Sequence, residues 1–254
     1  MGRRLAAALL LLGIAPLWAA CRPSTIDVAF APTAGVTYSY RYEIEATVTQ
    51  SLDGAPPTVT EIRTTLLADQ EVVEVSPGGV RAHVTLQREG SVARTSEVRL
   101  DRAGTLQGVD LIDGQPTGIF GLEGLGGVLP TAALPDGPLA PGDRWSVDDG
   151  AVTGSGRLVR LGVIDGEDVA VVRSDVTQPI DETTPVADTT ADLDGDLRAT
   201  ATTSYDLRDG SVRRATTRAR GVVHARIAPP PGIDAGAALG EITYEIRVRV
   251  TRVR

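Results

Sequence analysis

Residues 36–49 read VTYSYRYEIEATVT, and the alternation in that stretch decides the fold. Val36, Tyr38, Tyr40, Tyr42, Ile44, Ala46 and Val48 fall on one side of an extended chain, and Thr37, Ser39, Arg41, Glu43, Glu45, Thr47 and Thr49 on the other. A period of two sustained this long marks a half-buried strand, because a helix at 3.6 residues per turn would mix the two sets. At ~3.3 Å per residue such a strand runs about 46 Å. The far end of the chain, EITYEIRVRVTRV at 241–253, does the same, with Ile242, Tyr244, Ile246, Val248 and Val250 on one side. Long strands with one wet face point to an antiparallel sheet.

Turn chemistry fills the interval. Ser76-Pro77-Gly78-Gly79, Asp101-Arg102-Ala103-Gly104, Asp165-Gly166-Glu167 and Arg208-Asp209-Gly210 each set an Asp or Pro beside a Gly that tolerates positive φ. Residues 50–57, 129–143, 178–196 and 228–239 read as irregular, and Gly154-Ser155-Gly156 reads as a turn. The one helix candidate is 118–129, where Ile119, Leu122, Leu125 and Val128 keep a spacing of three among four glycines that weaken it. The expected fold is therefore all-β: a large curved antiparallel sheet or half-barrel with at most one short helix and a core of Val, Ile and Leu. Gly35-Val36-Thr37-Tyr38 and Gly142-Asp143-Arg144-Trp145, 107 residues apart, each place an aromatic three residues after a Gly. With the two later turns they suggest related halves, 26–128 and 142–254, inside one domain spanning 26–254.

Composition excludes more than it assigns. All 25 basic residues are Arg, and the chain has neither Lys nor Asn. A phosphate-loop lysine, a Schiff-base lysine and Asn-linked glycans are thereby ruled out. A net charge of −8 is the opposite of a nucleic-acid footprint, so no nucleic-acid partner is expected.

The first 20 residues read as a cleaved export signal: Arg3 and Arg4, then a short apolar run broken by Pro16, then Ala19 and Ala20. That run is marginal for crossing a ~30 Å hydrocarbon core, which needs about 20 residues. Leu17-Trp18-Ala19-Ala20-Cys21 resembles the lipobox of bacterial lipoproteins, with Trp18 where Leu, Val or Ile usually stands. The resemblance implies an acylated Cys21, a tether over 21–25 and a location outside the cytoplasm. Arg22 stands where an Asp would mark retention at the inner membrane, so an outer membrane, if the cell has one, is the implied destination. Cys21 is also the single cysteine, which excludes an intramolecular disulfide in an oxidising compartment. Loss of 1–20 removes two Arg and no acid, leaving −10. Anionic headgroups repel such a surface, so attachment must come from acyl chains.

Three further stretches carry a second resemblance: Gly35-Val36-Thr37-Tyr38-Ser39-Tyr40, Leu139-Ala140-Pro141-Gly142-Asp143-Arg144-Trp145 and Tyr205-Asp206-Leu207-Arg208-Asp209-Gly210-Ser211-Val212. Together they resemble an uncharacterised family of β-rich bacterial envelope lipoproteins, distantly similar to the Lol-type and mycobacterial lipoprotein carriers. That resemblance implies a half-barrel around an apolar cavity, with a lipid or envelope-protein partner.

Chemistry-bearing constellations are sparse. His83 and His224 sit singly in strand patterns, and Gly154-Ser155-Gly156 lacks the spacing of a nucleophile elbow. Asp188, Asp192, Asp194 and Asp196 offer alternating carboxylates, yet Leu197 replaces the Gly, and no Glu follows at the twelfth place, of a calcium loop. A solvated acidic loop is the plainer reading. Arg213, Arg214, Arg218, Arg220, Arg247 and Arg249 are expected to pair across strands with Glu45, Glu241 or Glu245. No catalytic residue, metal site or cofactor is assigned. Two readings stay open: a binding protein with Tyr38, Tyr40, Tyr42 and Tyr244 lining a concave face for a hydrophobic ligand, or a structural or interaction module whose core those rings fill.

Overall fold

The computed structural model describes residues 25–88, 90–102, 106–111, 134–135, 137–148, 152–186, 188–229, 232 and 235–253. Cys21, the export signal and the helix candidate at 118–129 lie outside them. Eleven strands form one sheet: β1 (Thr37–Leu52), β2 (Thr58–Ser76), β3 (Gly79–Arg88), β4 (Arg94–Leu100), β5 (Leu106–Leu111), β6 (Arg144–Asp148), β7 (Thr153–Ile164), β8 (Glu167–Val186), β9 (Thr189–Asp206), β10 (Val212–Ile227) and β11 (Ala238–Arg252). No helix occurs among the described residues.

The spatial order is β5-β4-β3-β2-β1-β11-β10-β9-β8-β7-β6, every neighbouring pair antiparallel. The chain starts mid-sheet, meanders to one edge, re-enters at the other and returns to the middle. Because the number of strands is odd, the edge strands β5 and β6 run the same way. Another antiparallel pair therefore cannot close the sheet, and it stays an open, curved wall.

Curvature is strongest around β9. The Cα atoms of β8 and β10 approach within 8 Å, whereas strands two apart in a flat sheet keep about 9.6 Å. Inner-face glycines permit the bend. A Cβ on Gly195 would lie 2.2 Å from the Val222 carbonyl oxygen, and one on Gly221 would lie 2.7 Å from that of Asp196. Small residues dominate the inner rows of β9 and β10, with Gly195, Ala199, Ala201 and Thr203 on one and Ala215, Thr217, Ala219, Gly221 and Ala225 on the other, interrupted by Leu197, Tyr205 and Val223. The core of Val, Ile and Leu expected from composition is thinned here, since large side chains at every position of adjacent inner rows would collide as the sheet curls.

Residues 178–196, expected to be irregular, are the far halves of β8 and β9, paired from Gln178–Leu197 to Val186–Thr189. Pro179 and Pro185 are tolerated because β7 pairs β8 only as far as Thr177, so beyond it β8 is an edge whose missing N–H groups face no partner. Gly154-Ser155-Gly156 is strand as well, inside β7. Its glycines make room for neighbours: a Cβ on Gly156 would strike the Trp145 ring at 2.2 Å, and one on Gly154 would strike the Asp175 carbonyl oxygen.

A strap over 26–36 crosses one end of the sheet. Ile26 exchanges backbone bonds with Leu139 (2.8 and 2.7 Å), Phe30 N–H donates to Arg102 O (2.8 Å), and Ala31 N–H donates to Asp209 O (2.9 Å). Gly210, at φ 69°, is where the strap comes closest, and a Cβ there would sit 2.1 Å from the Ala29 oxygen. Beneath the strap two core clusters form, one around Phe30, Tyr38, Tyr40, Val72, Val80 and Val248, the other around Val28, Leu139, Leu158, Val172 and Tyr205.

Irregularities of the first half recur in the second. Gly35 N–H bonds Val72 O and Val72 N–H bonds Val36 O; 107 residues on, Gly142 N–H bonds Leu158 O, and Leu158 N–H bonds Asp143 O. Val72 and Leu158 each precede a bulge, with Val73 and Val159 as the extra residues. The β4–β5 pair carries Gln107 as an extra residue beside Leu100–Leu106, and β9–β10 carries Arg213 beside Tyr205–Val212.

If bare backbone at β9 allows the bend, Gly195→Ala should lower stability by about 3 kcal/mol. Gly236→Ala, where a Cβ meets nothing within 4 Å, should shift it by less than about 0.5 kcal/mol. Urea unfolding midpoints measure both, and an unshifted Gly195→Ala midpoint contradicts this origin of the curvature.

Candidate functional site

The inner face divides into two regions. At the strap end it is closed core. Away from the strap β3 and β7 no longer contribute, and six strands, β2-β1-β11-β10-β9-β8, form a trough. Its floor on β9 and β10 is mostly small, with Ala199, Ala219, Gly221 and Ala225 around Leu197 and the buried Val223. Tyr42, Ile44, Ala46, Ile62, Ile242, Tyr244 and Ile246 stand on the β2, β1 and β11 side, each half-buried.

The four tyrosines singled out from the sequence therefore separate. Tyr38 is buried, its hydroxyl donates to Asp209 Oδ2 (2.8 Å), and the Arg252 guanidinium lies 5.1 Å over its ring. Tyr40 is buried in the same cluster, 6.3 Å from the Tyr42 ring. Burial pushes the Tyr42 hydroxyl up to about 12 and raises Tyr40 further, with the neighbouring Tyr42 adding to it. Tyr244 pairs with Val48, farther from the strap than Tyr42, and its pKa is raised by burial and then by the negative charge of Glu182, on a strand three places away. That electrostatic reach from β11 to β8 spans the trough. All four rings share the inner face, but only Tyr42 and Tyr244 border the trough.

The polar chemistry gathers under the strap. Asp206 is fully buried and accepts from Arg213 Nε (3.0 Å), Arg208 Nε (3.2 Å) and the Arg208 backbone N–H (3.0 Å), with Arg252 Nη1 3.7 Å away. Glu167 joins Arg208 at 2.9 Å and Arg213 at 3.4 Å. Burial alone would raise the Asp206 pKa; the arginine hydrogen bonds outweigh it and hold the carboxyl down at about 2. Asp209 accepts from Ser211 N–H (2.9 Å), and Arg252 donates to the Ser211 hydroxyl. Three arginines face three carboxylates, so charge is balanced and the cluster locks the β9–β10 turn beneath the strap.

The histidines lie far apart on the outer face, His83 3.4 Å from Glu97 and His224 3.9 Å from Glu241. Among the described residues no three His, Cys, Asp or Glu side chains are grouped to hold a metal, and the acidic residues of 188–196 spread along β9 and its turn. Of the six arginines expected to pair across strands, Arg213 turns instead to the Asp206 cluster. Arg247 takes Glu45 (3.8 Å) and Arg220 takes Glu245 (3.5 Å) as expected, whereas Arg249 takes Glu43 (3.6 Å) and Arg214 takes Asp165 (3.1 Å). Such exposed pairs contribute at most about 1 kcal/mol each. The Asp206 cluster and the small-residue floor were missed in the sequence, although Leu197-Ala199-Ala201-Thr203-Tyr205 shows the required alternation.

No family model and no curated protein matches this chain. Among solved structures it is similar to a loop-L8 deletion mutant of OmpT, an outer membrane protein of Vibrio cholerae. The identity is 9%, covering 84% of this chain and 99% of that chain, at a TM-score of 0.22. The charge pattern here is in any case the reverse of a membrane-spanning barrel, which carries an apolar band outward. Arg63, Glu45, Arg247 and Arg218 form one continuous outer row across the middle of the sheet.

Asp206→Asn should destabilise the fold by about 3–5 kcal/mol, because it leaves buried arginine charge unpaired. Since folding depresses the Asp206 pKa, its contribution is complete above about pH 4 and disappears as pH falls towards 2. Acid titration of thermal stability should show that loss between pH 4 and 2 in the wild type and a smaller one in the variant. Equal slopes would contradict the assignment.

Proposed function

We propose that this protein is a lipid-anchored extracytoplasmic protein that holds an apolar ligand along the trough of its curved sheet. The trough carries the reading. A face built only to be filled would set large side chains along its floor, whereas Ala199, Ala201, Ala219, Gly221 and Ala225 outnumber Leu197 and Val223 there. Tyr42, Ile44 and Ile246 pack against the strap-end core on one side and, with Tyr244, stay only half-buried beside that floor. Such a surface suits acyl or other extended apolar groups, which need area and few directional contacts. The anchor half of the proposal rests on the lipobox-like residues ending at Cys21.

The strap end favours a second reading, a structural or interaction module with a filled core. There the Tyr38 hydroxyl is committed to Asp209, and Tyr40 is sealed.

Native mass spectrometry of protein extracted from membranes in mild detergent separates the two. The binding reading predicts an apolar adduct beyond the mass of the acylated chain. It also predicts that Ala219→Leu abolishes the adduct while stability changes by less than about 1 kcal/mol, because the new side chain takes the ligand's place. A filled core instead predicts no adduct and a loss of roughly 1–3 kcal/mol from overpacking. The anchor has its own test: Cys21→Ala should move the protein from the membrane to the soluble fraction, and unchanged retention would sink that half of the proposal.

A further inference from the structure

The two hairpins that project past the strap are equivalent in the two halves, and both carry exposed valines. Beyond the bond that ties Val72 to the strap, β2 continues four residues to Ser76. Beyond the bond that ties Leu158 to Asp143, β7 continues six residues to Ile164. At ~3.3 Å per residue these projections reach about 13 and 20 Å. The extra bulge residues, Val73 and Val159, are 37% and 41% exposed, and Val75 and Val163 further out are 43% and 63% exposed. Large apolar side chains in water at matching places on two tips of one end call for a common surface. Leu52, Val59 and Leu239 are as exposed at the opposite end, so tether and charge decide which end meets it.

We propose that these tips form the membrane-facing end of the protein, resting on the bilayer that holds its anchor. The inference depends on the lipid-anchor reading, and it commits the surface to lipid for two reasons. First, the fold begins at Ile26, pinned to Leu139 at this same end. The five residues from Cys21 to Ile26 span at most about 18 Å, so the tips extend as far as the tether allows the bilayer to recede. Second, the opposite end is acidic. Asp181, Glu182, Asp188, Asp192 and Asp194 are all exposed on the β8–β9 hairpin, and an anionic leaflet repels that end. At the tips the exposed Glu74 and Asp165 are instead paired with Arg81 (2.7 Å) and Arg214 (3.1 Å). Tether and charge therefore orient the molecule the same way: strap end down, acidic hairpin outward.

The test uses the full acylated protein in vesicles of phosphatidylcholine and phosphatidylglycerol. With Cys21 acylated, an introduced cysteine is the single free thiol. Pro77→Cys at a tip and Ala55→Cys at the opposite end are labelled with a fluorophore and exposed to lipids carrying a headgroup-level quencher. The Pro77 label should be quenched several-fold more than the Ala55 label. Adding Val75→Asp and Val163→Asp should bring the tip down to the Ala55 level while the protein still floats with the vesicles. Equal quenching at both sites, or stronger quenching at Ala55, in floating protein overturns the orientation and leaves the anchor standing. Protein that does not float and carries no acyl group on Cys21 overturns the anchor and the orientation with it.

Discussion

The first and last strands are neighbours, and everything else hangs from that seam. Thirteen residue pairs, Tyr40–Arg252 to Leu52–Gly240, join β1 to β11. Without them β2–β5 and β6–β10 would be separate sheets whose inner faces had nothing to share. The seam is also the costliest contact to form, because it joins residues about 200 apart and the closure entropy grows with loop length. Alternation explains how it succeeds: thirteen consecutive pairs place Tyr42, Ile44 and Ala46 beside Val250, Val248 and Ile246 inside, and Glu43 and Glu45 beside Arg249 and Arg247 outside. A one-residue slip would turn every apolar side chain to water.

From the seam outwards, side-chain size sets the shape. On the β1–β2 side the inner rows are large, and near the strap they close into core with Phe30 and Val72. On the β9–β10 side they are mostly Ala, Gly and Thr, broken by Leu197 and Val223, the sheet bends sharply, and a trough runs away from the strap. The two conditions reinforce each other, because small side chains let the backbone curl and curling hides them. The buried Asp206 cluster holds the turn whose Asp209 carbonyl accepts the strap's Ala31 N–H. The charged cluster and both core clusters thus gather at the strap end, and the surface proposed to take a ligand lies at the other.

The strands were legible where one face is wet. Residues 36–49 and 241–253 alternate cleanly, and the turns at 76–79, 165–166 and 208–210 carry chemistry that demands them. Residues 178–196 misled for a physical reason: prolines and acidic residues normally mark loops, yet on a free edge a proline loses no bond and an outward Asp meets water. The glycines of 154–156 misled likewise, since they clear space for Trp145 and for the carbonyl of Asp175. The candidate site was half legible. That the tyrosines face inward follows from parity, but which of them border open trough depends on where β3 and β7 stop, a property of partner strands rather than of the tyrosines' own neighbours. The arginine clamp on Asp206 draws together residues from β10, β11 and the turn at 208, and no local pattern announces it.

The central claim is that the small-residue floor is shaped for an apolar guest. A crystal structure of protein purified from membranes without delipidation tests it most directly. The account predicts continuous elongated density along Ala199, Ala219 and Gly221, bordered by Tyr42 and Tyr244. Side chains meeting across that floor, with no density between them, would contradict it.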